Sequence, residues 1–297
     1  MNPQAGEILY IDKPYRWTSF DVVNKVRWLL CKRLGTKKLK VGHAGTLDPL
    51  ATGVIIVCTG RATKRIDELQ AGTKEYIATL RLGATTPSFD LEHEIDAYYP
   101  SEHITCPLVE DVLQRFVGPI EQVPPAYSAV KVEGKRAYDL ARSDKNVTLK
   151  PKLLVIDEIE LLDFNNPLSG SPHDGEELLS SEKPMNNIGS DALLITGVAG
   201  KGAFIPRTGM RNKAFLTSPA VPTDTVAYPS MTIRVVCSKG TYIRALARDI
   251  GQALGSGAHL TSLCRTRVGA ATLADCLTMD AFPEWLSQQE IINNALT

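Results

Sequence analysis

Between Val41 and Val54 the chain reads Val-Gly-His-Ala-Gly-Thr-Leu-Asp-Pro-Leu-Ala-Thr-Gly-Val. Gly42, Gly45, Gly53 and Pro49 exclude a helix here, because glycine adds backbone entropy and proline removes a donor and crowds the preceding turn. The run therefore predicts a tight loop that feeds the apolar strand Val54 to Val57. It presents a single carboxylate, Asp48, and no other acid occurs between Asp21 and Asp67. That isolation excludes the paired-carboxylate chemistry of glycosidases. Two readings of Asp48 fit the spacing equally: a solitary nucleophile held on a rigid loop, or a turn aspartate bonding its own backbone.

Periodicity places the loop among helices and strands. Thr18-Ser19-Phe20-Asp21 predicts a helix start, with a hydroxyl cap and an acid in the first turn. Val22, Val26, Leu29 and Leu30 form its apolar stripe, and Gly35 marks its end. Strands are expected at Tyr76 to Leu82, Lys152 to Asp163 and Met231 to Ser238. Further helices are marked by Leu108, Val112, Leu113 and Phe116, and by Ile243, Leu246, Ala247, Ile250 and Leu254. Without a steady strand–helix alternation, the chain is expected to be α+β, built on a largely antiparallel sheet.

The 297 residues carry no net charge, yet the charge is unevenly distributed. Residues 1–50 hold nine Lys/Arg against four Asp/Glu, and residues 230–270 hold six against one. Residues 88–122 hold Arg115 alone against eight acids. A basic face opposed to an acidic one suits a polyanion bound on one side. Six cysteines without a close pair argue against a zinc site and fit reduced thiols in a cytoplasmic protein. No apolar run approaches the length needed to cross a bilayer, and no signal segment opens the chain.

The Asp48 run resembles the catalytic motif of the TruB family of tRNA pseudouridine synthases, which modify the T-loop uridine at position 55. The likeness extends to Gly6-Glu7-Ile8-Leu9-Tyr10-Ile11-Asp12-Lys13-Pro14, Trp17-Thr18-Ser19, Lys74-Glu75-Tyr76 and Arg81-Leu82-Gly83. It continues at Pro124-Pro125-Ala126-Tyr127-Ser128-Ala129-Val130-Lys131 and Cys237-Ser238-Lys239-Gly240-Thr241-Tyr242-Ile243-Arg244. The resemblance implies a pseudouridine synthase fold, a mixed, largely antiparallel central sheet flanked by helices. It implies an isomerase acting on a uridine flipped from the tRNA T-arm, without cofactor or metal, as a monomer.

Residue by residue, the resemblance makes Asp48 the nucleophile, Arg244 its partner, and Tyr76 and Tyr242 pocket tyrosines able to stack on an extruded base. Tyr76 is also a candidate proton relay. Leu263 would line the base pocket. His43 is tempting as a general base, but the resemblance assigns it to binding, as a substitute for stacking inside the opened T-loop. Lys13 joins the substrate-binding set as a structural or backbone contact.

Residues 164–229 depart from the family pattern. They are rich in Ser, Asn, Gly and Pro and lack a sustained apolar period. They read as a loop-rich insertion into one catalytic domain spanning residues 1–297, with a short strand expected at Ala192 to Thr196. The PUA module found in many family members is expected to be missing, since the sequence stops at Thr297. Three rivals are weaker. A tRNA-binding folding helper would have little use for a buried acid facing RNA. A phosphate-binding transferase would need a Gly-Lys-Ser/Thr that does not follow the glycines here, and a guide-RNA-directed synthase would be expected to carry a trailing domain.

Overall fold

The structure is a computed structural model, and it describes residues 1–128, 130–132, 135–137, 149–168 and 228–292. The expected strand at Ala192 to Thr196, with most of the 164–229 insertion, lies outside these residues.

The strands are β1 (Ile8–Lys13), β2 (Val41–Ala44), β3 (Thr52–Thr59), β4 (Lys74–Leu82), β5 (Ala84–Thr85), β6 (Ala97–Tyr98) and β7 (Gly118–Gln122). They continue as β8 (Lys131–Val132), β9 (Lys135–Arg136), β10 (Lys152–Asn165), β11 (Ser230–Cys237), β12 (Ala258–Val268), β13 (Ala271–Thr272) and β14 (Leu277–Thr278). The α-helices are α1 (Ser19–Leu34), α2 (Ile66–Ala71), α3 (Cys106–Gln114), α4 (Ile243–Ala253) and α5 (Phe282–Gln288).

One sheet runs in the order β14-β1-β3-β12-β4-β11-β10-β7, with β13 on β12 and β2 on β3. Among the described residues, only the β1–β14 and β3–β12 contacts are parallel, so the expected mixed, largely antiparallel sheet is what forms. α1 begins as its sequence requires. Thr18 accepts the Asp21 amide while the Asp21 carboxylate reaches back to the Thr18 amide, and Gly35 closes the helix at φ 64°. Its stripe of Val22, Val23, Val26 and Leu30 is buried against β1 and β3 with Phe282 and Leu286 of α5. Burial of each such side chain contributes about 1.5–3 kcal/mol. On the other half of the sheet, α3 and α4 pack over β4, β10, β11 and β12 around Ile104, Val112, Ile233, Leu246 and Ile250.

The two packed halves meet at β3 and β12, and the Asp48 loop sits there. Gly53 shows why that junction needs glycine. Its φ is 100°, and a Cβ would lie 2.2 Å from the Arg265 carbonyl oxygen of β12. β12 also carries a bulge, with Arg265 opposite Tyr76 and Arg267 opposite Glu75 on consecutive residues of β4.

Candidate active site

Asp48 lies in the turn between β2 and β3, where the Ala51 amide donates to its carbonyl. Ser19, at the start of α1, locks the loop from one side. Its hydroxyl donates to the Leu47 carbonyl at 3.1 Å and accepts the Leu47 amide at 2.8 Å. Lys13, at the end of β1, locks it from another: its ammonium donates to the carbonyls of Pro14, Trp17 and Pro49. Arg265 holds a third side, donating to the carbonyls of Gly45, Thr46 and Val54. Buried cations thus bond the carbonyl oxygens of an irregular loop that a strand ladder cannot satisfy.

The Asp48 side chain remains 35 % exposed and meets Arg244, itself only 4 % exposed. Arg244 Nε donates to Oδ2 at 2.8 Å and Nη2 to Oδ1 at 3.1 Å. Two more guanidinium hydrogens go to the carbonyls of Ser88, at 3.2 Å, and Tyr127, at 2.9 Å. Asp90 stands 3.7 Å from Nε. Burial works against the Arg244 charge, but the carboxylates of Asp48, Asp90 and Glu92 outweigh it and hold its pKa above the ordinary value. The two-pronged geometry fixes the carboxylate oxygens in direction as well as charge.

Arg244 reaches this position because α4 starts beneath the loop. The Tyr242 amide donates to Gln122 Oε1 at 2.9 Å, and the Gln122 side-chain amide donates to the Tyr242 carbonyl at 3.2 Å. Asp48, Leu50, Ala51, Asp90, Arg244 and Leu263 line one small cleft. Tyr76, on β4, is buried next to Leu47 and Ala51 in the same core. Burial pushes the Tyr76 phenol up, with Arg265 opposing. Burial likewise raises Tyr242, the Ser128 hydroxyl beside it opposing and the Asp48 charge adding. Both therefore stay neutral near pH 7.

His43 lies on β2, opposite Val57 of β3. Burial lowers its pKa; the Gly45 backbone opposes this and the Arg265 charge reinforces it. Its Nδ1 is buried without a hydrogen-bond partner among the described residues. A neutral imidazole with one unused polar atom is suited to contact rather than to carrying charge.

Lys13 makes the structural, backbone contacts expected of it. It is fully buried and its three ammonium hydrogens are spent on backbone carbonyls, so it holds the loop and has none left for a substrate. Burial drives its pKa down to about 8, with Asp48 opposing. Sequence reasoning missed three contributors. Arg265 hides in Cys264-Arg265-Thr266-Arg267, where simple alternation puts both arginines on one face until the bulge separates them. Asp90 was counted with the acidic segment 88–122, yet it is 5 % exposed and faces Arg244. Gln122 carries no signal in the sequence that would set it apart.

The described residues contain no group of three or more His, Cys, Asp or Glu able to hold a metal, and no helix among them is long and apolar enough to cross a membrane. The mixed central sheet flanked by helices, with the Asp48 loop at its middle, has the pseudouridine synthase fold. The structure of a Cbf5-Nop10-Gar1 complex shares this fold, with a TM-score of 0.55 and 23 % identity over 98 % of this chain and 58 % of that one. Sequence then specifies the group. Residues 32–173 match the TruB family pseudouridylate synthase N-terminal domain, and residues 244–296 match the tRNA pseudouridylate synthase B C-terminal domain. The tRNA pseudouridine synthase B of Phocaeicola vulgatus is 56 % identical over 98 % of this chain and 97 % of its own. That of Bacteroides fragilis is 54 % identical over 98 % of both. The chain belongs to the TruB family of tRNA pseudouridine synthases.

Proposed function

We propose that this isomerase acts on the T-loop uridine at position 55 of tRNA, with Asp48 as the nucleophile. The observation that carries the reading is the two-pronged Arg244–Asp48 contact at the wall of an open cleft. In net terms the N1–C1′ bond breaks, the uracil turns, C1′ bonds to C5, the C5 proton leaves to solvent and N1 takes up a proton from solvent. No redox change occurs, so no cofactor is needed. A carboxylate serves attack at C1′, attack at C6 or withdrawal of a ribose proton, and the Arg244 fork holds it aimed.

The flipped base would lie against Leu263 and the ring of Tyr76, with Tyr242 closing the other side and His43 replacing lost stacking in the opened loop. A role as a folding helper alone leaves the cost of burying Arg244 against Asp48 without a purpose. The enzyme is expected to work as a monomer in the cytoplasm, on the T-arm alone. Tritium release from a T-arm hairpin labelled at uridine C5 tests the reading. One tritium per hairpin is expected, and none when cytidine replaces the target uridine. Absence of release from the uridine hairpin would overturn it.

A further inference from the structure

The turn that joins β1 to α1 carries two exposed side chains, Tyr15 and Arg16, one residue pair away from Lys13. Arg16 has φ 66°, a left-handed conformation that favours glycine and costs an arginine energy. Its amide donates to the Pro49 carbonyl at 2.9 Å, so its backbone lies against the residue after Asp48. Its guanidinium rests 5.5 Å from the centre of the Tyr15 ring and, among the described residues, makes no ion pair. The acids nearest in sequence are engaged elsewhere: Asp12 accepts the Gly53 amide, and Asp21 caps α1. A turn that needed only its shape would be served at lower cost by glycine. Strain retained with a cation at the margin of a site points to use of the side chain.

We propose that Arg16, braced on Tyr15, binds a backbone phosphate of the RNA strand flanking the target uridine, and so sets how tightly the substrate is held. The partner follows from charge. The segment 1–50 is basic, Tyr15 and Arg16 are open to solvent, and Lys32, Arg33, Lys37, Lys38 and Lys40 of the same segment are also exposed. A guanidinium stacked on a phenol ring keeps its N–H edge free for a phosphate. The inference rests on the tRNA reading above.

Arg16→Gly tests it, because glycine relieves the strained φ while deleting the contact. Affinity for a T-arm hairpin is to be measured between 50 and 300 mM salt, together with the thermal midpoint and the single-turnover rate. The expected result is an equal or higher midpoint, several-fold weaker binding, and a log–log salt slope shallower by about 1. The loss should fall on affinity more than on saturating rate. Arg115→Gln, in the acidic segment, should leave the slope unaltered. Unchanged affinity and slope in Arg16→Gly would overturn the proposal. So would a lowered midpoint, which would make Arg16 a structural brace, or a rate loss without an affinity loss, which would make it a support for Asp48. Binding is read apart from turnover. If the unaltered protein bound the hairpin without converting it, the functional reading would fall while the slope still decided on Arg16.

Discussion

Arg234 and Arg244 stand ten residues apart and live under opposite electrostatics. Arg234, on β11, pairs with Glu158 at 2.7 Å and lies near Glu160 and the half-buried Glu75, with Glu158 and Glu160 exposed to water. Arg244 is buried and donates to one carboxylate and two carbonyls. Pairs of the first kind contribute at most about 1 kcal/mol, because water screens them and long side chains must be held still. In the second kind, removal of one partner strands the other in a dry setting, at a cost of several times that. The Asp48 loop should therefore be intolerant and the β10–β11 ladder forgiving.

The largest effect is expected at Asp48 itself. Asp48→Asn keeps the volume and removes the charge, so Arg244 loses its anion but keeps the carbonyls of Ser88 and Tyr127 and the nearby Asp90. Pseudouridine formation should fall below detection in a tritium-release assay, with hairpin affinity within a few-fold and a folded circular dichroism spectrum. Measurable turnover would remove Asp48 from the role of nucleophile.

Next comes Arg244→Lys, which conserves charge and loses the fork. A lysine cannot reach Oδ1, Oδ2 and two carbonyls at once, so aim is lost before attraction. The single-turnover rate should drop by roughly 10²–10³-fold, the scale of losing preorganised electrostatic contacts, with binding little changed. If affinity fell instead and the rate held, Arg244 would be a phosphate contact.

A smaller and pH-dependent effect is expected at Lys13. Its folded pKa of about 8 lies below that of an exposed lysine, 10.5, so between those values the unfolded chain binds the extra proton. Stability lodged in this group accordingly rises as pH climbs from about 8 to 10.5. Lys74, also lowered to about 8 by burial, adds to the same window. Lys13→Met leaves the carbonyls of Pro14, Trp17 and Pro49 without a donor, so it should destabilise the fold by roughly 1–3 kcal/mol at pH 7. It should also flatten the climb of stability toward pH 10 relative to the parent. A mutant with the parent's pH dependence in urea titrations would show that Lys13 does not carry the shift.

How much of this was legible in the sequence differs between the two regions. α1, β4, β10, β11 and α4 could be read because each has a clean period and a cap or glycine at its end, and they formed within two or three residues of expectation. Asp48 was legible as the only acid in its segment, and Arg244 through the resemblance alone. The loop's supports were less so. Lys13 was legible as a structural or backbone contact through the resemblance, but nothing local reveals which three carbonyls converge on its ammonium. Arg265 depends on the bulge in β12, and Asp90 on a turn that carries it out of the acidic segment and under Arg244. Each is decided by where distant backbone oxygens and charges meet, which no period records.

The smallest effects belong to the β10–β11 ladder. Arg234→Ala should cost less than about 1 kcal/mol and leave turnover alone, since Glu158 and Glu160 can return to water. Replacement of residues 169–227 by a short Gly-Ser turn should be nearly as mild. The ladder pairs Asn165 with Ser230 at one end and Ile156 with Cys237 at the other, so the insertion joins the sheet at the end of β11 remote from the Cys237-to-Arg244 segment. The eight residues of β11 put about 24 Å between those ends. Its two roots keep their own anchors. Asn166 Nδ2 donates to the Ile104 carbonyl at 2.7 Å, and Tyr228 stacks on Tyr98 beneath the Arg81 guanidinium. The variant should convert a T-arm hairpin within a few-fold of the parent rate, and the parent should bind the hairpin about as well as full-length tRNA. A large loss confined to full-length tRNA would instead show that the insertion carries binding energy from beyond the T-arm, and the contrast between an intolerant loop and a forgiving ladder would hold for the chemistry alone.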